Sequence, residues 1–440
     1  MSRDTHNGTS STRRAFLQSA GALTAGALTH AAAAGADENL ALFGGPKAVT
    51  YPKANQAGRW PLYGPEDEKA VVEVLRNPNY QPVAALEKDW KDYYKVPYVR
   101  SHCSGTAAIT SMFFALNLPP GSEIMVPSYT FFATIVPMRI FDLVPVFVDI
   151  DPHTLNFDVE DAKRRLTSNT KAVFPVHWFG LPADMDQIGD FAQKHDLTVL
   201  EDVAHAPGTA LKGKLMGTWG RMAIYSFQMS KPAPAMEGGM GVYQRAEDYE
   251  RASCFAYPDG WEKFPASSPY RKYGTTGLGM KLRMNPMAAA LERRQMQIMD
   301  QRNAAGLAQV RRLNDRLVQL PGLSEQRTRP DAKRLYYSAN VFFLDENKAG
   351  MTRETLIKAL RAEGVAARAH TYPLQHKMAL YADSKWWNHP PRLPELPGSD
   401  EANRTAVSVP YFTSEMPELV DQYVKAFEKV WGQRKKLANL

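Results

Sequence analysis

Leu200-Glu201-Asp202-Val203-Ala204-His205 and Ser226-Phe227-Gln228-Met229-Ser230-Lys231 decide how this chain is read. The first stretch ends an apolar run on an acid. The second follows another apolar run and reaches a lysine inside a loop. In an open α/β sheet, ligands gather at the carboxyl ends of the strands, so the two side chains are expected to face one crevice. That layout suits pyridoxal phosphate. A lysine ties the cofactor aldehyde down as a Schiff base, and an aspartate at the far edge of the ring keeps the pyridine nitrogen protonated. Each residue has an ordinary alternative: Asp202 also fits a cap or strand-end turn, and lysines are mostly solvated surface groups. The neighbourhood of Lys231 weighs against the second. Pro232, Pro234 and Glu237-Gly238-Gly239 follow it, making a rigid, glycine-flanked loop that can turn a side chain inward. Pro232 also biases Lys231 toward extended backbone.

Outward from these stretches the pattern alternates. Helical periodicity over 105–117, 130–141, 158–166 and 186–195 separates apolar strand patterns at 123–126, 145–150, 171–177 and 197–202. Further strands are expected at 223–227 and 240–243. Short apolar strands between helices indicate right-handed βαβ units and a buried, largely parallel sheet. A Pro- and Gly-rich lead-in runs from 43 to 65, followed by helical patterns over 66–76 and 84–94. A long helix begins after Asn285-Pro286, where proline suits the first turn. Its apolar stripe is Leu307, Val310, Leu313, Leu317 and Leu320, and it should stop near Pro321-Gly322. Beyond it, one strand over 337–344, a helix over 353–363, a proline-rich loop and a final helix read as a smaller α+β domain. The expected division is therefore an arm and large domain over 35–285, a connecting helix over 286–330 and a small domain over 331–440.

The chain has 440 residues, 44% hydrophobic and 22% charged, an ordinary globular composition with ample core. Its formal charge is +7, but the basic residues are scattered. The densest run, Arg434-Lys435-Lys436, reads as a solvated face, so no nucleic-acid partner is expected. Cys103 and Cys254 form no CxxC pair, no HExxH is present, and His370 and His376 have no acid beside them in the sequence. No metal is expected from that set. No GxGxxG follows the first strand of the alternating region, which disfavours a nicotinamide enzyme.

Residues 1–34 read as a segment apart from the fold. Ser11-Thr12-Arg13-Arg14-Ala15-Phe16-Leu17 is a twin-arginine pattern, a weakly apolar stretch follows, and Ala31-Ala32-Ala33-Ala34 offers a small-residue cleavage site. The alternative is an amphipathic helix with a chance arginine pair. The stretch is too short and too weakly apolar for a stable membrane span. The expectation is a periplasmic or otherwise exported protein, cytoplasmic only if this signal does not function. The twin-arginine route carries folded proteins, often with a cofactor in place, which suits a cofactor enzyme.

Ser104-Gly105-Thr106 opens the helix at 105. A helix N-terminus offers free N–H groups and a partial positive charge to a phosphate, and the same three residues also suit a plain cap. Phe131 lies just past a strand end, placed either to stack on a flat ring or to pack in the core.

These residues resemble those of the DegT/StrS-type, pyridoxal-phosphate-dependent sugar aminotransferases, over the span from Trp60-Pro61 to Val407-Ser408-Val409-Pro410. The resemblance rests on Ser104-Gly105-Thr106-Ala107-Ala108, Val126-Pro127-Ser128-Tyr129-Thr130-Phe131, Pro145-Val146-Phe147-Val148-Asp149-Ile150, Pro175-Val176-His177, Pro182-Ala183-Asp184-Met185-Asp186, Glu201-Asp202, and Lys231 with Glu237-Gly238-Gly239. It implies a fold-type I α/β architecture with a mostly parallel large-domain sheet and a smaller C-terminal α+β domain, assembled as a homodimer with active sites at the subunit interface. It implies that Lys231 holds the cofactor and shuttles the proton, that Asp202 pairs with the pyridine nitrogen and that Phe131 stacks on the ring. Gly105, Thr106 and Ser226 would hold the phosphate, and His205 would lie near the ring hydroxyl. Lys281 would reach the neighbouring subunit's phosphate, and His376 would stand near the substrate mouth. Pro232 stands where the family commonly has Asn, and 233–236 lacks the glycine usual before Glu-Gly-Gly. Related dehydratases place His where this chain keeps Lys231. The activity implied is transfer of an amino group from glutamate or glutamine to a keto sugar or keto-cyclitol. Elimination or dehydration on the same fold, and a non-catalytic ligand-binding role for the scaffold, are the alternatives.

Overall fold

The computed structural model describes residues 39–257 and 261–438. The expected export signal at 1–34 lies outside the described residues.

Two helices, α1 (Pro65–Arg76) and α2 (Gln81–Tyr94), precede strand β1 (Tyr98–His102). Then follow α3 (Gly105–Leu116), β2 (Glu123–Pro127), β3 (Val144–Val148), α4 (Val159–Arg165), β4 (Thr170–Val173), α5 (Met185–Lys194) and β5 (Thr198–Asp202). A small hairpin, β6 (Ala210–Leu211) and β7 (Lys214–Leu215), leads to β8 (Met222–Ser226) and β9 (Gly239–Tyr243). The main sheet has seven strands in the order β1-β9-β8-β5-β4-β2-β3. Strands β3, β2, β4, β5 and β8 run parallel, and β9 pairs antiparallel with both β8 and β1. The expected mostly parallel sheet is present. Both its faces are covered: Val99, Met125, Val173 and Tyr225 join one apolar cluster, and Ile124, Phe147, Leu200 and Ile224 join another. That double burial is why the strands read as continuous apolar runs.

Two differences from the sequence expectation have local causes. Strand β1 escapes the apolar pattern because it buries Arg100, Ser101 and His102. Glu87 accepts from the Ser101 N–H at 2.9 Å, and the Arg100 guanidinium lies 4.7 Å from the Tyr257 ring centroid. The helix expected over 130–141 is two short 3₁₀ turns, Phe132–Thr134 and Val136–Phe141. Pro137 lacks an N–H, and the Thr130 and Thr134 hydroxyls bond each other at 3.0 Å.

Helix α6 (Ala246–Ala256) is followed by α7 (Pro286–Leu317). The Asn285 side chain caps α7 by accepting from the Met287 N–H at 2.8 Å. This helix of 32 residues is about 48 Å long at 1.5 Å per residue. Ala289, Leu291 and Met299 pack in the large-sheet core, while Leu313 and Leu317 pack in a second core. The C-terminal unit holds more sheet than its sequence suggests. Strands β10 (Leu323–Glu325), β12 (Asn340–Leu344), β13 (Arg368–Ala369) and β14 (Ala406–Val409) form a four-stranded sheet in the order β10-β12-β14-β13, and β11 (Ala332–Lys333) joins the β6–β7 hairpin. Strands β10, β11 and β13 are too short to leave a period-2 signal. The N-terminal arm belongs to the same packing: Leu40 and Val49 lie in the second core, and Glu363 accepts from the N–H groups of Ala41 at 2.7 Å and Ala48 at 3.0 Å.

Glu201 explains the acid beside Asp202. It is fully buried and accepts from the N–H groups of Gly217, Trp219 and Gly220, each at 2.7 Å. Glu201→Ala strands those donors at about 1–3 kcal/mol each. Urea unfolding should show the variant weaker by several kcal/mol, with Glu201→Gln affected less.

Candidate active site

The carboxyl ends of the parallel strands converge on one cleft of about 570 Å³. Strand β1 delivers Ser104 and Gly105, β2 delivers Thr130 and Phe131, β5 delivers Asp202, and β8 delivers Ser226. Because β9 is antiparallel, its start at Gly239 lies opposite Ser226 on the same edge.

Asp202 is buried, with one donor on each oxygen: Thr134 Oγ1 on Oδ2 at 2.9 Å and the Ala204 N–H on Oδ1 at 3.0 Å. Burial pushes its carboxyl up, and these two bonds and the Lys231 charge pull it part of the way back. Lys231 lines the same cleft, with Nζ 5.1 Å from the centroid of the Tyr337 ring. His205 is buried beside them, its ring 4.7 Å from Trp178 and 4.6 Å from Tyr337. Burial, with the Lys231 charge, holds its imidazole well below the usual histidine range, so His205 stands neutral. Its Nδ1 has no hydrogen-bond partner among the described residues.

Helix α3 points its N-terminus into the cleft. Ser104 Oγ caps it by accepting from the Ala107 N–H at 3.1 Å, which leaves the first N–H groups of the helix without helical partners. Glycine is required at 105, since a Cβ there would come within 2.8 Å of Ser226 Cβ. Glycine is required at 239 as well, where a Cβ would meet the Ser104 carbonyl at 2.5 Å. Phe131 and Phe132 flank the mouth, both about half exposed.

The cleft therefore brings together seven of the sequence-derived residues: Gly105, Thr106, Phe131, Asp202, His205, Ser226 and Lys231. It does not gather the other two. Lys281 is exposed and lines no part of the cleft of its own chain. His376 is buried, its Nδ1 2.7 Å from Ser128 Oγ, and does not line the cleft. Other lining residues have no sequence signal of their own. Tyr337 and Tyr372 come from the C-terminal unit, and Trp178 from a turn after β4. Only Thr134, four residues after Thr130, could have been found by asking what satisfies a buried aspartate.

These residues fit pyridoxal phosphate. Lys231 would supply the amine, and Asp202 would supply a buried carboxyl for the ring nitrogen. The unpartnered His205 Nδ1 is available to a ring substituent, and the N-terminus of α3, where Ser226 packs against Gly105 at the edge of the cleft, suits a phosphate.

Comparison with known proteins agrees. The family model for the DegT/DnrJ/EryC1/StrS aminotransferases matches residues 62–428. The GDP-perosamine synthase of Caulobacter vibrioides is 31% identical, over 68% of this chain and 78% of its own. The spore coat polysaccharide biosynthesis protein SpsC of Bacillus subtilis is 28% identical, over 84% of this chain and 95% of its own. The crystal structure of an aminotransferase from Psychrobacter cryohalolentis has the same fold, with a TM-score of 0.77 at 24% identity, covering 86% of this chain and 99% of that one. The chain belongs to the DegT/DnrJ/EryC1/StrS aminotransferase family.

Proposed function

We propose that this protein is a pyridoxal-phosphate-dependent aminotransferase that moves an amino group from glutamate or glutamine to the ketone of a sugar-like ring. The observation that carries the reading is that Asp202 and Lys231 line one cleft, close enough for the charge of one to act on the carboxyl of the other. Pyridoxal phosphate, when bound, supplies the electron sink that lets a C–H bond beside nitrogen break. The chain supplies the rest. The Lys231 amine takes and returns the proton at the reacting carbon. Asp202, held by Thr134 and Ala204, fixes the charge at the opposite edge. Neutral His205 presents its unpartnered Nδ1 to a ring substituent. Trp178, Tyr337 and Tyr372 line the cleft with aromatic rings, which suit the apolar face of a sugar.

The working unit in this reading is a homodimer. Exposed Phe131 and Phe132 at the mouth, and Lys281 lying outside its own cleft, support a second chain closing the site. The twin-arginine pattern at Arg13-Arg14 supports export of the folded protein to the periplasm. In that compartment a free keto sugar or keto-cyclitol is the fitting acceptor, since nucleotide-linked sugars are made and kept in the cytoplasm.

Glutamate added to the purified protein should bleach a visible cofactor band as the amino group is taken up, and a keto-sugar acceptor should restore it. Lys231→Ala should abolish the borohydride-reducible band and lower turnover by at least about 10³-fold. Asp202→Asn should keep bound cofactor but cost about 10²–10³-fold in kcat. A reducible band that persists in Lys231→Ala would overturn the assignment. Fractionation of cells making the full chain should find it in the envelope fraction, and replacing both Arg13 and Arg14 with Lys should hold it in the cytoplasm. An unchanged distribution would refute export by this route.

A further inference from the structure

Behind Lys231 the backbone is held by its carbonyls. Pro232 has no N–H to give, and the two residues Ala233 and Ala235 are buried without a polar side chain. The Lys231 N–H donates to the Gln228 carbonyl at 2.8 Å. The Lys231 carbonyl accepts from the Trp60 indole N–H at 3.1 Å, and the next carbonyl, that of Pro232, accepts from the Arg302 guanidinium. The two donors brace each other: the Arg302 guanidinium carbon lies 4.8 Å from the Trp60 ring centroid. Arg302 is fixed from its far side too. Its Nη1 donates to Gln295 Oε1 at 2.6 Å, Gln295 Nε2 donates to Asp67 Oδ1 at 2.8 Å, and Asp67 Oδ2 accepts from the Gly64 N–H at 2.8 Å. Gln295 and Asp67 are buried, and the buried carboxyl of Glu292 feels the Arg302 charge. Trp60, Arg302, Gln295, Asp67 and Glu292 line no part of the cleft.

We propose that Arg302 and Trp60 are positioning residues for Lys231: by pinning the carbonyls of residues 231 and 232 they fix where the Lys231 amine is presented to the cofactor. The proposal rests on Lys231 being the cofactor lysine. A lysine side chain is a flexible four-carbon stem, so its reach is set only as well as its backbone is held. Proline at 232 restricts the backbone but removes one anchoring N–H, and the two donors secure the same peptides from the carbonyl side. A charge-assisted bond to a carbonyl is roughly twice as strong as a neutral one. Arginine is needed because its fork spans two acceptors, Gln295 and Pro232, which a lysine cannot do with the same geometry.

The test uses the full chain, first stripped of cofactor and then titrated with pyridoxal phosphate. Trp60→Phe keeps the ring and deletes the N–H, Arg302→Met removes the fork, and Arg302→Lys restores the charge alone. Misplacement of a reacting group by about 1 Å costs as much as 10²-fold in rate. Capture of pyridoxal phosphate, followed by its visible absorbance, should therefore slow by about tenfold in Trp60→Phe and by more in Arg302→Met, with partial recovery in Arg302→Lys. The pH at which the bound cofactor changes colour should move in the same order. With glutamate, kcat should fall while KM holds. Wild-type capture rates and colour titration in Trp60→Phe and Arg302→Met would overturn the proposal, even if either variant melts at a lower temperature. Absence of any reducible band in the unmodified protein would instead sink the cofactor reading, and the positioning role with it.

Discussion

Asp202 is a carboxyl group buried at the end of a central strand, and the architecture around it exists to make that burial tolerable. An isolated buried carboxylate is costly. Here each oxygen receives one donor, from Thr134 and from the Ala204 N–H. Thr134 is in turn set by Thr130, which explains why the segment after β2 coils into short turns. The remaining demand, a positive group at the open side of the carboxyl, is what a protonated pyridine nitrogen satisfies. The N-terminus of α3, Asp202 at the end of β5 and the Lys231 loop after β8 have fixed places in the cleft, which would hold the phosphate end, the ring nitrogen and the aldehyde of a bound cofactor.

Much of this arrangement could be read from the sequence. Buried parallel strands leave continuous apolar runs, so β2 to β5 and β8 announce themselves. The residues at their carboxyl ends follow by position, which located Asp202 and the loop of Lys231, while Ser226 came from the family resemblance. Strand β1 could not be read so easily, since its Arg100 and Ser101 side chains turn inward to Glu87, Tyr249 and Tyr257 rather than to solvent. Strands β10, β11 and β13 are two or three residues long, too short for any periodicity. Tyr337 and Tyr372 reach the cleft from far along the chain, and nothing beside them in the sequence marks them. The Trp60–Arg302 clamp is silent for the same reason: it joins an arm, a long helix and a loop through backbone carbonyls, which every residue carries.

The C-terminal unit completes the site. Tyr337 lies beside both His205 and Lys231, and its hydroxyl bonds Ser230 at 3.1 Å. The cleft is thus lined mainly by the large sheet and its loops, and Tyr337, Ser338 and Tyr372 of the C-terminal unit close one side of it. Changes at Tyr337 therefore reach the neighbourhood of Lys231 directly.

Helix α7 ties that unit to the large sheet. One unbroken rod lends side chains to both cores, near its start to one and near its end to the other, with Arg302 between. Neither core can melt without fraying the scaffold of its neighbour. Loosening of the C-terminal unit is therefore transmitted along the rod to the loop that carries the reactive amine, and an injury remote from the cleft dulls the chemistry before the molecule comes apart.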